Sequence, residues 1–130
     1  MPSERRSTEP TNNRNLLLNA LPASEFDALR PKLVTVSLPL REMLYSAGDR
    51  IERVYFPFAG FTSVVTPFDD GSMTEVMTIG REGMVGISAA FDDGPISYAA
   101  VVQAEMGQCL CMTAADLRIE MSAAGPSMTS

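Results

Sequence analysis

Histidine and tryptophan are missing from the 130-residue chain, lysine occurs once, at Lys32, and cysteine twice. Without histidine, Ser-His-Asp and Cys-His nucleophile systems in their usual forms are excluded. So are His-ligated zinc and iron sites. Cys109 and Cys111 are separated by one residue, so they cannot staple distant parts of a fold. This usage fits a reducing compartment, and the expected location is the cytoplasm. No run approaches the ~20 apolar residues that cross a bilayer. The polar start, from Met1 to Pro10, has no apolar stretch after Arg5 and Arg6 and does not read as a secretory signal. Ten basic against sixteen acidic side chains give a formal charge of −6. Nucleic-acid surfaces need clustered cations to neutralise phosphates, so direct nucleic-acid binding is not expected. No pair of carboxylates is positioned for acid–base work, and a non-enzymatic role without metal or cofactor is the expectation.

What is present suits one small domain. The chain is 45% hydrophobic and 20% charged, which is ordinary for a globular protein of single-domain length. Residues 1–11 read as a disordered leader, 12–122 as the domain and 123–130 as a disordered tail. Asn12 or Asn13 is expected to cap a short helix that ends before Pro22. Ser24 and Asp27 resemble a capping box for a second helix, which presents Phe26 and Leu29 and stops at Pro31.

From Leu33 the apolar period changes to two. Strands are expected at 34–38, 43–45, 51–56, 61–66, 73–79, 98–104 and 108–112, with turns at Ala47-Gly48-Asp49, Asp69-Asp70-Gly71-Ser72 and Asp92-Asp93-Gly94-Pro95. Thr113 with Asp116 again resembles a capping box, opening a helix at Ala114 that Gly125-Pro126 ends. Short strands at regular spacing between turn signals indicate a sandwich or roll. Met73, Met77 and Met84 are read as core filler, and Cys109 and Cys111 as buried thiols on one face of a strand. Arg81 is expected to pair with Glu82 in solvent. Gly80, Gly83 and Gly86 are read as tight turning; their spacing fits no P-loop or dinucleotide fingerprint.

The run Ala47-Gly48-Asp49-Arg50-Ile51-Glu52-Arg53-Val54-Tyr55-Phe56-Pro57, followed by Gly60 and Ser63, resembles the turn-strand-turn core of Crp/Fnr-type sensor domains. The later run Glu75-Val76 through Ile79-Gly80-Arg81-Glu82-Gly83-Met84-Val85-Gly86 is similar to a subgroup of the same family. The likeness covers about residues 14–118. It implies a mainly β fold: an antiparallel, jelly-roll-like β-roll of the cyclic-nucleotide-binding type with short flanking N- and C-terminal helices. Full-length members continue into a dimerisation helix and a helix-turn-helix, which this sequence does not contain.

In members that bind cyclic nucleotides, a glutamate just after a glycine holds the ribose and a later arginine holds the cyclic phosphate. Matching the segments puts Gly86 at the glycine, Ile87 at the glutamate and Ser97 at the arginine, with Tyr98 beside it. No Lys or Arg occurs from Glu82 through Leu117. The resemblance therefore implies an effector pocket formed by Gly83, Gly86, Ile87, Ser88, Ser97, Tyr98 and Ala99 that does not take cyclic AMP or cyclic GMP. Tyr98 is weighed as a plug for that pocket, its hydroxyl bonded to backbone, against an ordinary strand aromatic. The expectation is an effector-sensing domain of a Crp/Fnr-type transcription regulator, with an unknown small-molecule effector or none. The alternative is a protein-interaction module without a small ligand. Weak self-association would use the C-terminal helix.

Overall fold

A computed structural model describes residues 15–67, 70–104 and 106–124. Three α-helices, α1 (Leu16–Asn19), α2 (Ala23–Leu29) and α3 (Ala114–Ala124), flank seven strands: β1 (Val34–Leu38), β2 (Met43–Tyr45), β3 (Arg53–Pro57), β4 (Phe61–Pro67), β5 (Met73–Ile79), β6 (Ala99–Ala104) and β7 (Gly107–Thr113). Short 3-10 turns cover Arg30–Lys32 and Ile87–Ala90. The strands form two antiparallel sheets, in the orders β1-β7-β3 and β2-β6-β4-β5. This is the mainly β, jelly-roll-like architecture with short helices that the family resemblance implied, and it agrees with the sandwich or roll read from the strand pattern.

Two apolar clusters follow from the period-two patterning of β7. Leu110 and Met112 enter the main core with Val54, Phe56, Leu18, Leu29 and Leu117. Cys109 enters a smaller cluster with Leu38, Val102 and Met106. Central strand β7 is therefore covered on both faces, and burying each large side chain contributes about 1.5–3 kcal/mol. Both thiols are buried, as expected, and burial pushes the Cys109 thiol up to about 12.

Helix ends depart from the sequence reading. Asn12 and Asn13 lie outside the described residues. The cap of α1 is Asn15, whose Oδ1 accepts the Leu18 N–H at 3.0 Å. Ser24 does not cap α2, because the helix already starts at Ala23 with Pro22 before it and no side-chain cap. Proline is tolerated at a helix entry, and the helix starts two residues earlier than a Ser24 cap implies. Thr113 does cap α3: its Oγ1 accepts the Asp116 N–H at 3.0 Å. That helix reaches Ala124, two residues into the expected tail, and Gly125-Pro126 lie outside the described residues.

Met84 is buried, but Met73 and Met77 are 52% and 54% exposed, which corrects their assignment to the core. Strand β5 is a sheet edge that pairs only with β4, and of its apolar side chains only Ile79 packs against the main core.

Candidate functional site

The segment from Gly80 to Tyr98 leaves edge strand β5, crosses to the other sheet and returns into β6. A single antiparallel bridge holds it there: Val85 N–H donates to Tyr55 C=O at 2.8 Å and Tyr55 N–H to Val85 C=O at 3.1 Å. Gly86 then turns the chain into the Ile87–Ala90 3-10 turn with φ +98°, a left-handed conformation that disfavours any Cβ. A Cβ on Gly86 would also sit 2.4 Å from the Tyr45 Oη. Tyr45 is 4% exposed; its hydroxyl donates to the Arg53 carbonyl at 2.5 Å, with the Val85 carbonyl 3.2 Å away. Burial raises the Tyr45 phenol far above its ordinary pKa, so it stays a neutral donor. The glycine is thus required by close approach as well as by φ.

Of the seven pocket residues inferred from sequence, the fold joins Ser88 and Tyr98 directly, their hydroxyls 2.9 Å apart. Tyr98 is half-buried and bonds a side chain, not the backbone partner that the plug reading gave it. Ile87 is 53% exposed on the 3-10 turn and Ser97 is exposed before β6. Ala99 is buried within β6, opposite Val65 on β4. The Gly83 carbonyl is taken by Asn15. The expected Arg81–Glu82 pair does not form; Glu82 instead accepts the Gly80 N–H at 3.1 Å, which holds its carboxyl below its ordinary pKa. None of the seven residues lines the cleft of about 440 Å³ found between β2 and β3.

Two residues that the sequence reading passed over fasten this segment from either side. Fully buried Asn15 donates through Nδ2 to Pro57 C=O (2.9 Å) and Gly83 C=O (2.8 Å), and Leu16 N–H donates to Arg81 C=O at 2.7 Å. Its signal was an asparagine directly before the apolar run Leu16-Leu17-Leu18. On the other side, Arg118 of α3 donates to the Ala89 carbonyl at 3.0 Å, tying the 3-10 turn to the C-terminal helix. Its signal was weak: one arginine in a helix with no other cation among its described residues.

Among the described residues no group of three His, Cys, Asp or Glu could hold a metal ion, and no helix is long and apolar enough to cross a membrane. The family pattern described as cyclic nucleotide-binding domain matches residues 35–123. The chain belongs to that family. Among solved structures, this cyclic nucleotide-binding domain is similar to the N-terminal domain of a transcriptional regulator from Streptomyces coelicolor A3(2). That match has 24% identity and a TM-score of 0.68, covering 89% of this chain and 80% of that one. It is also similar to the Thermus thermophilus catabolite activator protein, at 20% identity and TM-score 0.67, covering 82% and 50% of the two chains. A third likeness is to the regulatory subunit of a cAMP-independent protein kinase A from Trypanosoma brucei, at 20% identity and TM-score 0.76, covering 96% and 45%. The chain spans about half the length of the last two, and identities this low speak for the fold alone. No curated protein gives a significant match.

Proposed function

We propose that the chain is a non-enzymatic effector-sensing domain of a Crp/Fnr-type transcription regulator whose Gly86–Tyr98 segment does not hold cyclic AMP or cyclic GMP. The observation that carries this reading is chemical: no Lys or Arg lies between Glu82 and Leu117, where the cyclic phosphate would need one. The position matched to the ribose-binding glutamate is the exposed Ile87, and the one matched to the phosphate-binding arginine is Ser97. The segment itself supplies neither polar group, and Arg118, the cation that reaches it, is held on the Ala89 carbonyl at 3.0 Å.

Magnitudes support the same side. Deleting one partner of a buried charge pair costs about 3–5 kcal/mol, which is roughly 100- to 5,000-fold in affinity. A helix start returns about 0.3–1 kcal/mol, and the four-residue 3-10 turn after Gly86 offers little of a helix's dipole. Asp92 and Asp93, just after that turn, add negative charge.

Signalling would run through Arg118. A change at Ile87–Ala90 alters the acceptor that this arginine holds and thereby biases α3, the element that leads toward any output domain. Isothermal titration calorimetry with cyclic AMP and cyclic GMP tests the reading. No heat of binding is expected, and a low-micromolar dissociation constant for either would overturn it.

A further inference from the structure

The roll has an opening that the Gly86–Tyr98 segment does not use. Strands β2 and β3 are edges of different sheets, and between them lies the cleft of about 440 Å³, a volume ordinary for small-ligand sites. Leu44, Tyr45 and Tyr55 supply its buried and half-buried lining, the two rings tilted at 43° with centroids 6.3 Å apart. Its exposed lining carries Arg50 and Arg53 beside Asp49 and Glu52. The only ion pairs among the described residues, Asp27–Arg30 and Lys32–Glu120, involve none of these four. The Asp49 carboxylate accepts the Ser46 N–H at 3.2 Å.

Two guanidinium groups and two carboxylates, none of them in an ion pair, stand around one cleft with two tyrosines and match a ligand that carries both signs and a flat apolar body. We propose that this cleft is a second ligand site taking a small aromatic zwitterion of the α-amino-acid class. The ligand carboxylate sits on Arg53 and Arg50, as a fork matched to guanidinium donors. Its ammonium sits on Asp49 and Glu52, and its ring packs against Tyr55. Neither charge alone suits the lining, whose formal charges cancel. The inference is independent of the reading given for the Gly86–Tyr98 segment, because it uses none of that segment's residues.

The cleft is nonetheless wired to the rest of the sensor. Ile96 N–H donates to Asp49 C=O at 2.9 Å and Gly48 N–H to Ile96 C=O at 2.7 Å, one residue before Ser97. Glu52 C=O accepts the Ala114 N–H at 2.9 Å, at the first residue of α3. Tyr45 reaches the Val85 carbonyl beside Gly86. A ligand that moves the cleft's lining therefore pulls on the start of α3 and on both ends of the 86–98 segment.

The test is an amide NMR titration of the full chain with L-phenylalanine, N-acetyl-L-phenylalanine and L-phenylalaninamide. The zwitterion is expected to give saturable shifts at residues 44–55 and at Ala114. Removing either charge weakens binding roughly tenfold or more, the fold-change of one lost charge-assisted hydrogen bond. Arg53→Gln is expected to produce a similar loss, while Arg81→Gln, outside the cleft, leaves the titration unchanged. Absence of saturation with L-phenylalanine overturns the proposal. So do equal shifts from all three compounds, or equal losses from the two arginine variants.

Discussion

Replacing Gly86 with alanine tests whether the tight turn at the head of the 3-10 segment is dictated by its neighbour as well as by its backbone angle. At φ +98° a Cβ costs about 1–2 kcal/mol from backbone sterics alone. The new methyl would also stand 2.4 Å from the Tyr45 hydroxyl and 3.1 Å from Val54 Cγ1. Overpacking of this kind adds about 1–3 kcal/mol, so G86A is expected to lose about 2–5 kcal/mol in total. Tyr45→Phe removes the obstructing oxygen but also the buried donor to Arg53 C=O, and loses about 1–3 kcal/mol by itself. In the double variant the contact with the hydroxyl is gone, while the φ strain and the tight approaches to Val54 Cγ1 and the ring carbon Cζ remain. Urea unfolding followed by circular dichroism then gives a coupling energy of about 1–2 kcal/mol, with the pair more stable than the sum of the singles. Additivity within about 0.3 kcal/mol would refute the claim that Tyr45 dictates the glycine.

The remaining predictions concern the fastenings and the thiols. Asn15→Leu leaves the carbonyls of Pro57 and Gly83 without their donor, at about 1–3 kcal/mol each. Asn15→Asp is expected to be as damaging in urea unfolding although aspartate caps helices equally well, because it cannot donate; a benign N15D would contradict this. Arg118→Ala is expected to cost about 1 kcal/mol and to speed amide exchange at Ala89 and Phe91 relative to β4; unchanged exchange would show that α3 does not hold the turn. Cys109 and Cys111 are expected to resist iodoacetamide at pH 8 until urea unfolds the chain, since both thiols are buried and raised in pKa. A thiol near 12 in the fold against 9.0 when exposed keeps a proton that the unfolded chain gives up. Its contribution to stability is present below pH 9 and lost toward pH 12, so the urea midpoint falls over that window and falls less in Cys109→Ala.

Much of the architecture was legible because period-two patterning and turn residues act locally. Val34–Leu38, Met43–Tyr45 and Met73–Ile79 form as strands at the expected bounds. Which strands end as sheet edges depends on pairing across the chain, so the exposure of Met73 and Met77 could not be read from their spacing. The same limit applied to the 86–98 segment. Residue types showed what it lacks, but the Ser88–Tyr98 hydroxyl pair and the grips of Asn15 and Arg118 join residues 10 to 68 positions apart. The β2–β3 cleft was hidden for that reason: its two walls come from different sheets.

An amide NMR titration with cyclic AMP, run on the unaltered chain beside an Ile87→Glu/Ser97→Arg double variant, addresses the missing cation most directly. No saturable shift is expected at Gly86, Ile87, Ser88 or Tyr98 in the unaltered chain, and saturable shifts are expected once both polar groups are supplied. Saturation of those four resonances in the unaltered chain, with a micromolar dissociation constant, would contradict the account.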